Sequence, residues 1–327
     1  MLSLHRIYVG FYQGYKMQKI AIIGFGNHVR KNILPAISRM DDVLVDAIYV
    51  RDKIKYIANA KDYKVAIKTL DDELSAEVEW VYVSTPISTH YDLVSKYLKA
   101  GKNVICEKPL TDSLEKTKHL FELAAINKVI LHEVYMYQYH KQFEHLQRTV
   151  KENLTSLKTV STKFTIPHLE QNDIRYKKKL GGGALLDVGF YPVSLIISLF
   201  GKPKEIKYIL NSEDGYEVDL FGAAIFVFEN FYCYAEWGIG LPYSNQATII
   251  TEKQVYTYER IFSKPETLKT KVCLKEGFDS CDIEVGKDDQ FVNMFRSFLR
   301  GERHDFTSNK TETIKVHSVI GSLTSEC

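Results

Sequence analysis

The chain has 327 residues, of which 45% are hydrophobic and 26% charged, so it is long enough for two domains with sizeable cores. Its 43 Lys and Arg residues against 41 Asp and Glu leave a formal net charge of +2, which gives no bulk attraction to nucleic acid or to an anionic membrane surface. The longest apolar runs are shorter than a membrane span, so we expect no membrane partner.

Cysteine and histidine usage favours neither disulfides nor a metal site. The five cysteines are odd in number and scattered, without a Cys-x-x-Cys pair, which is typical of reduced thiols in a cytoplasmic protein. The ten histidines show no His-x-x-x-His spacing, so we expect no metal ligands. Residues 1–16 lack the apolar core of a signal peptide, and we assign this extension no function.

Strands and helices alternate over residues 17–137. Short β-branched runs predict buried parallel strands, and amphipathic segments between them predict helices. The predicted strands are residues 19–24, 43–50, 79–85, 103–106 and 129–136. The predicted helices are residues 27–40, 53–60, 92–100 and 111–127, the last capped by Thr111 or Ser113. This alternation predicts a doubly wound parallel sheet, hence an NAD(P)-binding Rossmann domain.

The second part, residues 138–327, has a different pattern. Strand-like stretches follow one another and are broken by Gly, Pro, Asn and Asp, as in antiparallel sheets. The predicted strands are residues 158–166, 205–210, 220–228, 231–239, 246–251, 254–262 and 269–274. The predicted helices are residues 183–200, 289–300 and 311–323. We therefore expect an α+β domain for substrate binding and oligomerisation, built on a large, mainly antiparallel sheet.

A partial glycine motif follows the first predicted strand. Gly24 permits a tight turn, and Gly26 lets the backbone approach a pyrophosphate that faces the amides of the next helix. Val29 replaces the third glycine of G-x-G-x-x-G, which should alter packing more than phosphate binding. Because the motif lies inside a strand–helix alternation, it predicts a dinucleotide site with contacts from Gly24, Gly26, Asn27 and His28.

The end of the second predicted strand bears on the choice of cofactor. An acidic residue there binds the ribose 2′-hydroxyl of NAD, whereas an arginine pairs with the 2′-phosphate of NADP. The strand ends with Arg51 and then Asp52. Arg51 favours NADP(H) over NAD(H), and Asp52 would favour NAD(H) if the register shifted by two residues.

Glu107-Lys108-Pro109 follows the strand predicted at residues 103–106. Ligands bind beyond the carboxyl ends of the strands in doubly wound sheets. A lysine fixed by a following proline at such an end suggests an ammonium directed at a reacting substrate. The alternative is an ordinary surface lysine in a turn.

Four segments together resemble the Gfo/Idh/MocA oxidoreductase family, named for glucose–fructose oxidoreductase and inositol dehydrogenase. They are the glycine turn and residues 84–90, 101–109 and 180–191. The resemblance covers nearly everything from Lys19 onward. It implies that a loop with Thr85, Pro86 and His90 lies along the cofactor.

The same resemblance implies the role of Lys108, which would hydrogen-bond the substrate's reacting oxygen and stabilise negative charge there. The family often has a cis peptide at this position. Glu107 would orient the loop at the cofactor site rather than react.

The resemblance also places Asp187 and Tyr191 in the active site, four residues apart on one face of a predicted helix. Many relatives carry histidine at the position of Tyr191. The tyrosine version is similar to glucose–fructose oxidoreductase, dihydrodiol dehydrogenases and nucleotide-sugar ketoreductases. We expect the nearby Lys108 ammonium to lower the pKa of the phenol, which would transfer a proton while Asp187 binds a substrate hydroxyl or positions Tyr191. The alternative is a tyrosine that only packs at a domain interface.

Arginine and lysine residues of the second part are further candidates for substrate binding. Arg175, before the glycine run, would contact substrate or else be a solvated loop residue. For Arg260 and Lys264 the alternatives are the same, a substrate contact or a solvated loop residue, and the substrate contact has less support than for Arg175.

The sequence therefore predicts an NADP(H)-dependent oxidoreductase that interconverts a secondary alcohol and a ketone on a sugar-like substrate. A nucleotide-linked keto-sugar reductase is the favoured subclass. Oxidation of a dihydrodiol or a free sugar is the alternative, and a non-catalytic cofactor-binding regulator is a further one. A broad sheet with one uncovered face predicts a homodimer or homotetramer.

Overall fold

The computed structural model describes residues 17–60, 63–300 and 306–324. The extension predicted at residues 1–16 lies outside the described residues.

Six short parallel strands form the first sheet, in the order β3-β2-β1-β4-β5-β6. They are β1 (Gln18–Ile23), β2 (Val43–Val50), β3 (Ala66–Thr69), β4 (Trp80–Val83), β5 (Asn103–Cys106) and β6 (Leu131–Glu133). This is the strand order of a Rossmann sheet, so the predicted fold class is confirmed. The sequence missed β3 because it has four residues and buries only Ile67.

Helices cover both faces of this sheet. They are α1 (Leu34–Ser38), α2 (Lys53–Ala60), α3 (His90–Lys99) and α4 (Leu114–Ile126). Ile20 and Ile22 of β1 join one apolar cluster, while Ala21 and Ile23 join the cluster on the opposite face. Side chains of a strand alternate between faces, so two clusters are what a strand buried on both sides produces. The Ser113 hydroxyl caps α4 by accepting the Lys116 N–H.

The first helix and the last strand of residues 17–137 differ from the prediction. The helix predicted at residues 27–40 begins as a π-helical turn (Val29–Ile33) and continues as α1. The strand predicted at residues 129–136 is only β6, and a 3₁₀ turn follows at Met136–Tyr139.

Eight strands form the second sheet, in the order β14-β13-β12-β11-β7-β10-β9-β8. They are β7 (Leu157–Ile166), β8 (Glu205–Asn211), β9 (Phe221–Val227), β10 (Tyr232–Ile239), β11 (Ser244–Thr251), β12 (Gln254–Glu259), β13 (Thr270–Glu276) and β14 (Asp279–Gly286). Only β7 and β10 pair in parallel, so the predicted mainly antiparallel sheet is confirmed. The sequence missed β14, a mostly exposed edge strand with little apolar pattern. It also extended β12 past Glu259, where Arg260 takes a left-handed φ of 57° and ends the strand.

One face of this sheet packs against a π-helical turn (Leu185–Gly189) and the helix that follows it, α6 (Phe190–Phe200). The approach is closest at Gly189, where a Cβ would lie 2.7 Å from the buried Trp237 ring. Lys178–Phe200 is long and apolar enough for a membrane span, which corrects the expectation that no apolar run reaches that length. However, 67% of the most apolar 18-residue stretch within this segment is buried in the protein, as expected for a core helix.

Three more helices connect the two sheets: α5 (Lys141–Glu152), α7 (Gln290–Arg300) and α8 (Phe306–Thr324). Although α7 follows the second sheet in the chain, Met294, Phe295 and Phe298 pack into a core cluster of the first sheet. Tyr191, at the start of α6, packs against the core clusters of both sheets and so lies where the two sheets meet.

Candidate active site

The turn after β1 lies against the loop after β4. Gly24 has a φ of 99°, and a Cβ there would lie 2.2 Å from the carbonyl oxygen of Ser84, so only glycine fits. A Cβ on Gly26 would meet no atom within 4 Å. The turn therefore leaves open space beside Gly26, where the amides of the following π-helical turn can face an anion. Val29, at the third glycine position, is fully buried in the core.

Asn27 and His28 follow the turn. The Asn27 side chain is exposed and accepts a hydrogen bond of 2.6 Å from Arg30. The His28 ring bonds Glu107 through Nε2 at 3.0 Å and Asn32 through Nδ1 at 3.0 Å. Because a carboxylate only accepts, Nε2 carries the proton and Nδ1 accepts from the Asn32 amide.

Glu107 lies between two side-chain donors. The Tyr82 hydroxyl and the His28 ring both donate to Oε1 of this largely buried carboxylate. Burial works against the charged form, but His28, Tyr82 and Lys108 outweigh it and lower the pKa of Glu107. The charged Glu107 carboxylate, held by two hydrogen bonds, fixes the start of the loop that carries Lys108.

Arg51 and Asp52 follow β2 and behave differently. The Asp52 carboxylate accepts the N–H groups of Ile54 and Lys55 at 3.0 and 3.2 Å, so it caps α2. The Arg51 guanidinium is exposed and forms no ion pair with a described residue. Arg51 is therefore the more accessible of the two to a cofactor phosphate.

His90 connects the loop after β4 to the loop after β5. Its ring nitrogens lie 2.8 Å from the carbonyl oxygen of Thr85 and 2.9 Å from that of Pro109. Burial lowers the pKa of His90, and the two carbonyl bonds oppose that shift. The side chain is 1% exposed, and both ring nitrogens lie within hydrogen-bond distance of a carbonyl oxygen. A neutral ring has one N–H and so donates to one of the two carbonyls at a time. His90 therefore positions the two loops, and its direct contact with a cofactor stays a prediction.

Thr85 and Pro86 remain at the surface of the same loop. The Thr85 hydroxyl accepts from Thr89 at 2.8 Å, and the Pro86 carbonyl accepts the Thr89 N–H at 2.9 Å. Both residues are half-buried and lie beside the Gly24 turn.

Lys108 extends from the end of β5 toward the second sheet, and its peptide bond to Pro109 is cis. Its Nζ donates to the backbone oxygen of Asp187 at 2.6 Å and to Oδ1 of the same residue at 3.1 Å. The ammonium also lies 4.5 Å from the ring centroid of Tyr191. The side chain is 8% exposed, so Lys108 is neither free nor solvated, as a surface lysine in a turn would be.

Asp187 lies in the π-helical turn before α6 and is held by two cations. Lys108 bonds Oδ1, and Nε of Arg175 bonds Oδ2 at 2.5 Å. Burial opposes ionisation of Asp187, but Lys108 and Arg175 together lower its pKa to about 2. Asp187 is therefore a fixed anion that positions Lys108.

Arg175 is half-buried beside Asp187 rather than a solvated loop residue. Its Nη1 bonds the carboxylate of Asp173 at 3.1 Å, in addition to the bond from Nε to Asp187. The two carboxylates raise the pKa of the guanidinium, with Asp187 the largest cause. Its Nη2 makes no hydrogen bond to a described residue.

Tyr191 is surrounded by aromatic rings. Phe164, Phe262 and Tyr137 have ring centroids at 5.4, 5.6 and 6.2 Å from that of Tyr191. Its hydroxyl forms no hydrogen bond with any residue that the structure describes. The ring of Tyr191 thus has a fixed place, while its hydroxyl is available to a ligand.

The expected lowering of the Tyr191 pKa is wrong. Burial raises it well above its usual range, and the carboxylates of Glu107 and Asp187 add to the shift, with Arg175 opposing. The Lys108 ammonium lies over the ring face and is already paired with Asp187, so it does not offset these causes. Tyr191 is therefore a neutral phenol that can donate a proton.

One supporting residue was not found from the sequence. The Glu133 carboxylate, fully buried at the end of β6, accepts the Leu110 N–H at 2.5 Å and bonds Nε2 of His317 at 2.9 Å. Its hydrogen bonds hold the chain just after Pro109. No local signal marks Glu133, because His317 is 184 residues away.

Two family models match the chain. One, described as an oxidoreductase family with an NAD-binding Rossmann fold (GFO_IDH_MocA), matches residues 18–135. The other, the GFO/IDH/MocA C-terminal domain, matches residues 146–257. Together they cover most of both sheets.

Named relatives and a solved structure agree with this. A dTDP-3,4-didehydro-2,6-dideoxy-alpha-D-glucose 3-reductase from Streptomyces violaceoruber is 31% identical over 63% of this chain, and the match spans 62% of the relative, less than two thirds of its length. A reductase of the same name from Streptomyces antibioticus is 27% identical over 87% of this chain and 88% of the relative. A 3-ketoreductase from Actinomadura kijaniata, solved with NADP and TDP-benzene, has the same fold with a TM-score of 0.85 and 24% identity over 93% of this chain and 96% of that one.

The buried pair at Asp187 predicts a loss of stability in acid. Its pKa is about 2 in the folded protein and about 3.9 in an unfolded chain, so folding favours the charged form. This contribution, about 3 kcal/mol, is fully present above about pH 5 and is lost as the pH falls toward about 2. We expect the difference in unfolding free energy between wild type and Asp187→Asn, measured with urea, to shrink over that range. A constant difference would contradict the assignment.

Proposed function

We propose a function for this chain, which belongs to the GFO/IDH/MocA oxidoreductase family. It is an NADP(H)-dependent oxidoreductase that interconverts a secondary alcohol and a ketone on a nucleotide-linked keto-sugar. The observation that carries the proposal is the meeting of Lys108, Asp187 and Tyr191 at the carboxyl edge of the parallel sheet. The dTDP-keto-sugar 3-reductases among its relatives support the substrate class.

The residues around the glycine turn fit a nicotinamide dinucleotide. The open space beside Gly26 admits a pyrophosphate, and Asn27 lies at its edge. The exposed Arg51 guanidinium suits a 2′-phosphate, which favours NADP(H) over NAD(H). When bound, the cofactor supplies or accepts a hydride at its nicotinamide ring. Glu107 and His90 hold the surrounding loops so that Thr85, Pro86 and Lys108 line the same edge.

Tyr191 and Lys108 act on the substrate oxygen. In the reducing direction the neutral Tyr191 phenol donates its proton to the carbonyl oxygen as the carbonyl carbon receives the hydride, and the product is an alcohol. An ammonium has three N–H donors, of which Lys108 uses two on Asp187. The third is directed to the same substrate oxygen and stabilises its developing negative charge. Oxidation of an alcohol uses these groups in reverse.

Asp187 and Arg175 contribute to binding. Asp187 keeps Lys108 charged and oriented, and its fixed charge excludes a role as proton donor. Arg175 uses Nε and Nη1 on the two aspartates, which leaves Nη2 for a substrate hydroxyl. The proposed substrate-binding set is therefore Lys108, Arg175, Asp187 and Tyr191.

The location and assembly of the protein are part of the proposal. Scattered, unpaired cysteines support a cytoplasmic protein. The face of the second sheet opposite α6 carries exposed Ile225, Tyr232 and Tyr234, which line a groove of about 640 Å³. An apolar face of this kind supports a homodimer or homotetramer joined through the sheet.

The catalytic assignment predicts that Tyr191→Phe lowers kcat by about 10²- to 10⁴-fold, because the proton donor is lost. Turnover is followed as loss of NADPH absorbance with nucleotide keto-sugars, free keto-sugars and dihydrodiols as substrates. Tyr137→Phe is the matched control, since that neighbouring hydroxyl bonds Ser194 and should not be needed for turnover. Full activity of a Tyr191→Phe, Lys108→Met double variant would overturn the mechanism, and turnover of free sugars alone would favour the dehydrogenase alternative.

The cofactor assignment predicts tighter binding of NADPH than of NADH. We expect Arg51→Ala to weaken NADPH binding by about 10- to 100-fold and to leave NADH binding unchanged, because only the 2′-phosphate pairs with the guanidinium. Fluorescence titration measures both affinities. Lys53→Ala, at the nearby start of α2, is the control for general loss of positive charge. Tighter NADH binding by the wild type would sink the role of Arg51.

The assembly assignment predicts that Ile225→Glu yields monomers, because the new carboxylate loses its water in the interface and its cross-strand neighbour Lys207 offsets only part of that cost. Light scattering after size-exclusion chromatography measures the mass of wild type and variant. Phe278→Glu changes a fully exposed residue in the turn between β13 and β14 and should leave the assembly intact. A monomeric wild type would disprove the assignment.

A further inference from the structure

A second cavity lies one aromatic side chain away from Tyr191, and its lining includes neither the glycine turn nor the catalytic residues. It is a polar groove of about 390 Å³ between the π-helical turn at Val29–Ile33, residues 260–266 and the start of α7. Phe262, from the middle of the 260–266 segment, packs against the Tyr191 ring at 5.6 Å between centroids. On the other side, Phe291 of the groove lies 5.6 Å from the His28 ring. Phe262 therefore lies between the groove and the Tyr191 ring, and Phe291 lies between the groove and the His28 ring.

One buried side chain fixes the 260–264 segment. Asn245 accepts the Phe262 N–H through Oδ1 at 2.9 Å and donates to the carbonyl oxygen of Ser263 through Nδ2 at 3.1 Å. Its backbone oxygen accepts the Arg260 N–H at 2.6 Å. Asn245 is 2% exposed, so these bonds form away from competing water. The segment is thus a rigid support for the side chains that it presents.

Arg260 is held in a left-handed conformation, with a φ of 57°. Arginine adopts this region at a cost, and such costs are retained where a side chain must be directed. The guanidinium lies 5.1 Å from the ring centroid of Tyr243, and its Nε donates to the carbonyl oxygen of Ser263. It forms no ion pair with a described residue, so its charge is free for a ligand.

Lys264 is a buried cation at the wall of the groove. It is 5% exposed, and its Nζ donates only to the carbonyl oxygen of Ile261, at 2.8 Å, within the described part of the chain. Burial lowers its pKa to about 7, with Asp288 opposing and Arg260 adding to the shift. A buried ammonium without a bonded carboxylate is costly, and a bound anion would remove that cost.

Gln290, at the start of α7, has no polar partner. It is 2% exposed, and neither its Oε1 nor its Nε2 makes a hydrogen bond to a described residue. Buried amides are nearly always bonded, so an unpartnered one that lines a cavity points to a ligand.

The groove is lined by four basic side chains and two acidic ones, and Arg39 is the ion-pair partner of both acids. Arg39 pairs with Asp289 at 2.7 Å and with Glu266 at 3.9 Å. Three further cations line the groove without an ion pair to any described residue: Lys31, Arg260 and Lys264. The groove therefore carries excess positive charge next to a site built for an uncharged sugar.

We propose that this groove binds the diphosphate of a nucleotide-linked sugar. Arg260 and Lys264 bond the phosphate oxygens, the Gln290 amide donates to the same group, and Lys31 contributes charge from the far wall. The sugar lies at Tyr191, and the diphosphate enters the groove past Phe291, on the side of His28. This assignment rests on the proposed function, because it gives the place where the charged part of that substrate is held.

The test is calorimetric titration of the whole protein with dTDP, with and without saturating NADP⁺. We expect dTDP to bind in both cases and inorganic pyrophosphate to compete with it, while thymidine does not bind. Lys264→Met should weaken dTDP binding by about 10- to 100-fold because it removes a charged hydrogen bond. Arg260→Asn should do the same, and asparagine tolerates the left-handed backbone. Lys269→Met, an exposed lysine five residues beyond Lys264, is the matched control and should bind dTDP as the wild type does.

Three outcomes would overturn the site: no dTDP binding by the wild type, equal binding by the Lys264 and Arg260 variants, or complete displacement of dTDP by NADP⁺. The last would place dTDP in the cofactor site. Failure of the proposed function would be seen separately, as absence of NADPH binding and turnover, and does not alter the reading of the dTDP titration without cofactor. Turnover of a free keto-sugar without dTDP binding would leave the oxidoreductase in place and remove the diphosphate site.

Discussion

The ion pair between Lys108 and Asp187 is the interaction on which the rest of the site depends. Lys108 comes from the edge of the parallel sheet, whereas Asp187 comes from a helical turn packed on the antiparallel sheet. Removing Asp187 would leave the largely buried Lys108 ammonium without a carboxylate, which is far more costly than the loss of an exposed pair, whereas Asp187 without Lys108 would keep its bond to Arg175. The pair ties the two sheets together at the proposed meeting place of cofactor and substrate. Arg175 completes it by holding the second carboxylate oxygen.

The two π-helical turns, at Val29–Ile33 and Leu185–Gly189, explain much of what the sequence could not show. The apolar spacing in both segments is helical, so the sequence predicts helices there, but a wider turn changes where each side chain points. In the second turn the shift lets Lys108 reach both the backbone and the side chain of Asp187. Gly189 makes this packing feasible, because Trp237 leaves no room for a larger residue.

Both sheets and most of their strands could be predicted, because buried β-branched runs and alternating patterns are local signals. The short β3 and the exposed edge strand β14 lack those signals and were missed. Among the site residues, the resemblance to the family pointed to Lys108, Asp187 and Tyr191, which the structure brings together. The pKa direction of Tyr191 could not be predicted, since it depends on burial and on Glu107 and Asp187 reaching it in space. The contact of Glu133 with His317 could not be predicted either, because it joins β6 to α8 across 184 residues of sequence.

That last contact has a consequence for how the protein is made. The Glu133 carboxylate holds the Leu110 N–H beside the lysine loop, and it is itself bonded by His317 of α8. His317 also bonds Thr117, 200 residues earlier in the chain. During synthesis, the parallel sheet leaves the ribosome long before α8 does. The nascent chain can therefore pair its parallel strands early, whereas the loop that carries Lys108 gains the support of Glu133 and His317 only after α8 has been synthesised.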